Sequence, residues 1–164
     1  MSVTVFSTAY LDGLVDQATA SPRLRQHRNI HTNYDDPCQR LFNAIEPGSY
    51  IRPHRHRIVP RTETMIAVRG LMKLLMFDDA GNIVDSILFS AESCAKSQDI
   101  SVGVEIPPDV WHTVIALHPH SVLLEIKAGP FDPAQPKELA PWAPEEGSAE
   151  ASQYLHTLIT ATHA

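Results

Sequence analysis

The feature that most constrains the fold is a regular succession of short strand-like segments in the middle of the chain. Apolar and polar residues alternate in these segments, and turn-forming sequences such as Glu46-Pro47-Gly48 separate them. The predicted strands cover residues 39–46, 50–57, 62–69, 71–77, 82–90, 101–106, 112–117 and 122–127. Short strands at this spacing, with few helices between them, predict an all-β protein built as an antiparallel sandwich or barrel.

The two ends of the chain carry different patterns. Residues 3–6 predict a short strand, and apolar residues at helical spacing follow from about Thr8 to Ala20. Residues 129–147 are rich in proline and predict a surface strap, after which Ser148 is a plausible N-cap of a C-terminal helix. A chain of 164 residues suits a single domain. We therefore expect an N-terminal strand and helix over 1–28, a β-barrel over 29–128, and a strap and helix over 129–164.

Composition narrows the range of partners. The net charge of −6 argues against nucleic acid or an anionic membrane as the main partner. No apolar run reaches 18 residues, and Asp12 and Asp16 lie near the N-terminus without a basic leader, so we expect a cytoplasmic protein. Cys38 and Cys94 form no Cys-x-x-Cys motif, and both are expected to be reduced.

A set of histidines in the predicted strands indicates a metal site. His54 and His56 are two residues apart, so in an extended strand both point to the same face and can bind one ion. Glu63 can supply a carboxylate from the next strand, and His112 can supply a third imidazole. Three imidazoles and one carboxylate suit Fe(II), Mn(II), Ni(II), Cu(II) or Zn(II), and the ligand set alone does not choose among them.

A second histidine pair competes with the first. His118 and His120 precede Glu125 in a His-x-His-x4-Glu pattern that also resembles a metal motif. They flank Pro119 between two apolar runs, so we interpret them as a hairpin turn.

The pattern around the first pair resembles the two sequence motifs of the cupins, which have a double-stranded β-helix, or jelly-roll, barrel. The residues that carry the resemblance are Gly48, His54, His56, Glu63, Gly70, Pro107 and His112. More specifically, the runs at 36–40, 47–56, 77–81, 105–112 and 125–130 resemble the WbuC family of cupin-fold metalloproteins, often encoded near bacterial surface-polysaccharide genes. The resemblance implies metal ligands at His54, His56, Glu63 and His112.

The gap between His56 and Glu63 differs from the general cupin pattern. It contains six residues, so a loop with Pro60 must bulge to keep Glu63 in register. If the strand shifts instead, Glu63 faces away and the site has three histidines only.

Several further residues are candidates for a substrate pocket. Tyr50 and Arg52 share the strand parity of His54, and only one of Gln39 and Arg40 is expected to point inward. The other two candidates, Glu125 and Lys127, either pair with each other or provide an acid and a base.

An isolated histidine and a group of arginines are further residues that could have a functional role. We expect His31 to be exposed, since most isolated histidines are not ligands. The arginines near the first motif, Arg52, Arg55, Arg57, Arg61 and Arg69, suit an anionic ligand or form a solvated rim.

These features predict a metal-binding cupin, interpreted as a metal-dependent enzyme acting on a sugar or other anionic small molecule. Its reaction would be an isomerisation, an epimerisation or a dioxygenation. The alternatives are a non-catalytic ligand-binding or sensing cupin and a storage-like barrel with an incidental metal. We also expect a homodimer, formed through the N-terminal strand or the C-terminal helix unless that helix packs on its own barrel.

Overall fold

The computed structural model describes residues 3–91, 100–134 and 137–161. Within these ranges the chain forms two antiparallel five-stranded sheets with a short helix near each end. The elements are α1 (Thr8–Ala20), β1 (Arg25–Asn29), β2 (Cys38–Ile45), β3 (His54–Arg55), β4 (Glu63–Arg69), β5 (Leu71–Phe77), β6 (Ile83–Ser90), β7 (Gly103–Ile106), β8 (Trp111–Ala116), β9 (Ser121–Ala128), β10 (Glu138–Leu139) and α2 (Ala149–Thr160). The predicted all-β double-sheet fold with short terminal helices is confirmed. Cys94 lies outside the described residues.

The strands form two sheets that face each other. Sheet A has the order β1-β2-β9-β4-β7, and sheet B has the order β10-β3-β8-β5-β6. Between them lies an apolar core to which Met65 and Leu123 of sheet A and Met72, Leu74 and Val114 of sheet B contribute. Because side chains alternate along a strand, each sheet also has an outer face to cover.

The helices cover these outer faces. Phe42 and Ala44 on β2 point outward and pack with Leu14 of α1. On sheet B, α2 packs its buried Leu155 and Leu158 into the cluster that includes Leu75 and Ile115. Burying one leucine side chain stabilises a fold by roughly 1.5–3 kcal/mol, so α2 is held on its own barrel. In the described part of the chain, neither helix is long and apolar enough to cross a membrane.

Two expectations about local structure are wrong, and one strand is not expected from the sequence. Residues 3–6 form no strand, because Ser7 starts α1 by accepting a hydrogen bond from the Tyr10 amide at 3.2 Å and leaves Val3 89% exposed. Sheet A instead begins at β1, within the polar run Arg25–Asn29, which lacks the apolar alternation of a typical strand. The strand predicted over 50–57 shrinks to His54–Arg55, since Pro53 has no amide hydrogen to donate to a ladder.

The proline-rich segment also contributes a strand that its composition does not indicate. Glu138 pairs with Arg55 and Leu139 pairs with His54, so β10 extends sheet B beside the histidine motif. A bidentate ion pair from Arg55 to Glu138, at 3.0 and 2.9 Å, reinforces this pairing.

Candidate metal centre

Four predicted ligands converge between the two sheets. His54 on β3 pairs in register with His112 on β8, which brings two imidazoles of sheet B side by side. His56 follows β3, and Glu63 begins β4 on the opposite sheet. One donor atom from each of these residues lies within 4.8 Å of the others, and all four side chains are buried. Two donors on one ion lie at most about 4.4 Å apart for bonds of ~2.0–2.2 Å, so the group is close to a coordinating geometry.

Backbone carbonyls orient two of the imidazoles. His54 Nδ1 lies 3.0 Å from the carbonyl oxygen of Arg52, and His112 Nδ1 lies 2.9 Å from that of Val110. A ring nitrogen that donates to a carbonyl fixes its tautomer and leaves Nε2 with a free lone pair. Metal-binding histidines commonly have this arrangement.

The third imidazole, that of His56, has a buried nitrogen, Nε2, without a hydrogen-bond partner among the described residues. His56 Nε2 lies 3.2 Å from Glu63 Oε2 without the geometry of a hydrogen bond, while His112 Nε2 lies 3.1 Å from the same oxygen. A buried nitrogen without a partner is unfavourable, and a shared cation would satisfy it. The four side chains therefore fit a divalent metal ion, and the borderline to hard donor set is compatible with several first-row metals.

The six-residue gap after His56 does not displace Glu63. The amide of Arg61 donates to the carbonyl of His56 at 3.3 Å, which closes the loop into a compact turn. Glu63 then aligns with Lys127 on β9 and with Ile106 on β7. The carboxylate is 2% exposed and faces the imidazoles, as expected if the bulge absorbs the extra residues.

Burial and nearby charges keep the His54 imidazole and the Glu63 carboxylate in the forms that bind metal. Burial would raise the pKa of Glu63, but the charge of Lys127 and the neighbouring imidazoles of His112 and His56 hold it well below its ordinary value. Burial, together with the charge of Lys137, holds the pKa of His54 well below its ordinary value. A deprotonated carboxylate and a neutral imidazole are the forms that bind a cation.

Glu125 and Lys127 form a buried pair beside Glu63. Lys127 Nζ lies 2.6 Å from Glu125 Oε1 and 3.4 Å from Glu63 Oε1, so one ammonium bridges two carboxylates. Burial and the charge of Glu63 raise the pKa of Glu125 to about 7, despite the opposing charge of Lys127. The two residues thus pair with each other, as one of the sequence alternatives states.

An open cavity of about 630 Å³ leads to the four-residue group. This volume lies within the usual range of roughly 300–1,000 Å³ for small-molecule sites. Its walls are built from the inward-facing residues of sheet A and from the segment around β10. The cavity wall includes His54, His56, Glu63 and His112, so a bound ion could contact a ligand that enters from solvent.

The other predicted pocket residues divide into two groups. Gln39, Arg52, Glu125 and Lys127 line the cavity. The amide of Gln39 is engaged with the backbone carbonyl of Asp36 at 2.8 Å, and Arg52 donates to the carbonyl of Ala140 at 2.8 Å. Both side chains therefore shape the wall and are already partly satisfied.

Arg40 and Tyr50 do not line the cavity, which corrects their predicted pocket role. Of the two neighbouring residues Gln39 and Arg40, Arg40 is the one that points outward, and it forms an ion pair with Asp36 at 3.0 Å. Tyr50 is buried in the core beside α2, and its hydroxyl donates to the carbonyl of Pro144 at 2.9 Å. The irregular backbone before β3 breaks the alternation that would have pointed Tyr50 inward.

Several residues that line the cavity were not predicted to do so from the sequence. His31 is 7% exposed rather than exposed as predicted, because its ring packs against the backbone of Arg40, with Nδ1 2.8 Å from the carbonyl oxygen. His27 and Asn29 alternate along β1 and line the cavity, as does Lys137 before β10. The period-two polar pattern of β1 was the available signal for its inward face, whereas nothing local marks Lys137.

The second histidine pair forms a turn, as predicted. His120 has a left-handed φ of 60°, and its Nδ1 lies 3.0 Å from Glu46 Oε1. Among the described residues, the metal-competent group includes neither His118 nor His120.

The fold matches solved cupin structures. The capsular polysaccharide assembling protein CapF from Staphylococcus aureus is 20% identical with a TM-score of 0.54, and the match covers 71% of this chain and 31% of CapF. Protein SO0799 from Shewanella oneidensis is 11% identical with a TM-score of 0.51, and the match covers 69% of this chain and 72% of that protein. The chain thus corresponds to less than a third of CapF, and the likeness establishes the fold.

Sequence comparison gives the family. None of the curated proteins is significantly similar in sequence to this chain. One family model matches residues 6–89, which include α1, the first five strands, all but the last residue of β6, and the candidate ligands His54, His56 and Glu63. Since this match spans just over half of the chain, the protein belongs to the family described as Domain of unknown function (DUF6016), and it has the cupin fold.

Proposed function

We propose that this protein is a metal-dependent cupin enzyme that acts on a sugar or a sugar-derived anion. The observation that supports this most strongly is the position of the donor group. His54, His56, Glu63 and His112 are buried, yet they form part of the wall of an open cavity large enough for a monosaccharide. A closed structural site would have no need of such an opening.

The chain's own residues would divide the work as follows. The three imidazoles and Glu63 would hold the ion, whose chemistry would be to polarise a carbonyl or hydroxyl group or to activate dioxygen. Lys127 fixes Glu63 Oε1 and thereby keeps the other carboxylate oxygen directed at His56 and His112. Apolar side chains such as Met65 and Leu123 limit water in the inner part of the cavity.

Two likenesses support a polysaccharide-related substrate. The runs around His54 and His112 resemble the WbuC family, which is associated with surface-polysaccharide genes. CapF, described as a capsular polysaccharide assembling protein, has the same fold over 71% of this chain. Isomerisation or epimerisation of a sugar fits this association, and dioxygenation fits the ligand set.

A non-catalytic ligand-binding cupin is the second candidate. The observation that favours it is that Lys127 is paired with both Glu125 and Glu63, so its ammonium is not free to act on a substrate.

Turnover separates the two candidates. The natively purified protein should be incubated with a set of sugars and nucleotide sugars, with and without dioxygen, and the products followed by NMR. We expect a metal-dependent product that the His54→Ala variant does not form. Saturable binding without any product would instead support the ligand-binding candidate.

A further inference from the structure

Lys137 is a cation of the cavity wall for which the described residues provide no partner. It lies just before β10, is partly buried and lines the same cavity as the four-residue metal group. Within the described ranges, its ammonium has no hydrogen bond and no carboxylate within salt-bridge distance. Burial lowers the pKa of Lys137, and the charges of Glu63 and Glu146 offset this only in part. A desolvated ammonium without an anion is unfavourable.

Of the other lysines and arginines that line the cavity, Arg23 is exposed and the remaining three are paired with carboxylates. Arg25 forms an ion pair with Glu146, and Arg52 lies 3.8 Å from Glu145. Lys127 lies between two carboxylates, as described above. Lys137 is therefore distinguished from its neighbours by the missing partner rather than by its charge alone.

Strand β10 holds Lys137 next to the histidine strand β3. The next residues, Glu138 and Leu139, pair with Arg55 and His54, so β10 fixes the approach of Lys137 to the histidine strand. Lys137 and His54 line the same cavity, so a ligand that reaches the metal group also passes this ammonium.

A bound divalent ion would leave this end of the cavity with excess positive charge. Glu63 offsets one of the ion's two charges, and the Glu125–Lys127 pair adds none when both are ionised. Lys137 then adds a second uncompensated charge. A neutral sugar would leave both in place, whereas a ligand with an anionic group would offset at least one.

The form of the site favours a carboxylate over a phosphate as that group. Phosphate recognition usually uses the fork of an arginine or the N-terminus of a helix. The guanidinium of Arg52 is taken by the Ala140 carbonyl, and that of Arg25 by Glu146 and the Tyr50 carbonyl. A single lysine is a point charge that suits a singly charged group.

We infer that Lys137 binds the carboxylate of a sugar acid whose hydroxyl or carbonyl oxygen faces the metal centre. This inference rests on the proposed function, because it assumes that a ligand occupies the cavity beside a metal ion. It narrows the substrate class from sugars in general to uronic and aldonic acids.

The test uses the full chain loaded with Co(II), whose visible spectrum reports ligands near the metal. The protein is titrated with D-glucuronate, D-glucose and D-glucose 6-phosphate at fixed ionic strength. D-Glucuronate should bind at least about tenfold more tightly than D-glucose, and Lys137→Gln should weaken it about tenfold or more while leaving the Co(II) content unchanged, because one charge-assisted contact is lost. Lys137→Arg should restore most of the affinity.

Lys73→Gln is the matched control, since Lys73 donates to the Ala161 carbonyl at the end of α2. It should leave D-glucuronate affinity unchanged. Equal D-glucuronate affinity in wild type and Lys137→Gln overturns the inference, as does a Lys137-dependent preference for D-glucose 6-phosphate or a failure of all three sugars to perturb the spectrum. Failure of the wild type to take up Co(II) would overturn the proposed function itself, so the two failures are distinguishable.

Discussion

The buried ammonium of Lys127 provides a quantitative test of the electrostatics around the metal group. Lys127 Nζ lies 2.6 Å from Glu125 Oε1 and 3.4 Å from Glu63 Oε1. Among the described residues it is the only positive charge between these two carboxylates, and replacing Lys127 with Met removes it. The carboxylates are 9% and 2% exposed by residue, so water cannot compensate. Breaking a buried ion pair by removing one partner typically costs about 3–5 kcal/mol, and we expect a loss of that size in the metal-free protein at pH 8.

The loss should depend on pH and on metal. Since the pKa of Glu125 is about 7, its carboxyl is mostly protonated at pH 6 and no longer needs the ammonium. The stability gap between wild type and Lys127→Met should therefore narrow as the pH falls from 8 to 6. A divalent ion should also narrow it, because the ion offsets the charge of Glu63.

Urea unfolding of the metal-free proteins at both pH values measures this effect. Lys73→Met is the control, and it should cost about 1 kcal/mol because it removes one hydrogen bond to a backbone carbonyl. The double variant Lys127→Met/Glu125→Gln should recover part of the stability. A loss below about 1 kcal/mol at pH 8, the usual value for an exposed ion pair, would refute the reasoning.

Three further predictions follow from the same geometry. Glu63→Gln should weaken metal binding by about 100-fold or more, which exceeds the 10- to 100-fold loss typical of residues that only support a ligand. The control variant Glu105→Gln, at an exposed position of β7, should leave metal affinity unchanged. Equal metal affinity in both variants, measured by competition with a chelator, would place Glu63 outside the coordination sphere. Because the pKa of His54 is held well below its ordinary value, the unfolded chain binds a proton below about pH 6.5 that the folded chain excludes. Metal-free wild type should then lose up to about 1.4 kcal/mol per pH unit more than His54→Asn as the pH falls below 6.5, and identical pH slopes in chemical unfolding would contradict this. Because α2 packs on its own barrel, the N-terminal segment with the exposed Val3, Val5 and Phe6 is the surface that remains for pairing. We predict a homodimer at tens of micromolar, and light scattering that gives the mass of one chain would exclude the dimer.

Much of the fold follows from the sequence because its strands are amphipathic. Residues 71–77 form β5 with the predicted bounds, and the other main strands differ from their predicted ends by one or two residues. Apolar–polar alternation does not identify a strand whose inward face lines a polar cavity. β1 reads as polar because its inward face lines a cavity rather than the core.

The four-residue metal group was also accessible from the sequence, because the spacing of His54 and His56 follows directly from strand parity. The placement of Glu63 depends on how the loop after His56 closes, and spacing alone leaves that open. Tyr50 and Lys137 could not be placed correctly, since their positions are decided by segments far away in sequence, and the burial of His31 depends on how its loop packs on the Arg40 backbone. Local patterns do not report such contacts.

The metal content of the natively purified protein tests the central claim most directly. Elemental analysis of wild type should give close to one transition-metal ion per chain, and His56→Ala, which removes a buried nitrogen without a hydrogen-bond partner among the described residues, should abolish stoichiometric metal. His118→Ala, in the exposed turn, should retain it. A wild-type protein that holds no ion even after incubation with Fe(II), Mn(II), Ni(II), Cu(II) or Zn(II), or a His56→Ala variant that keeps its full metal content, would contradict the account.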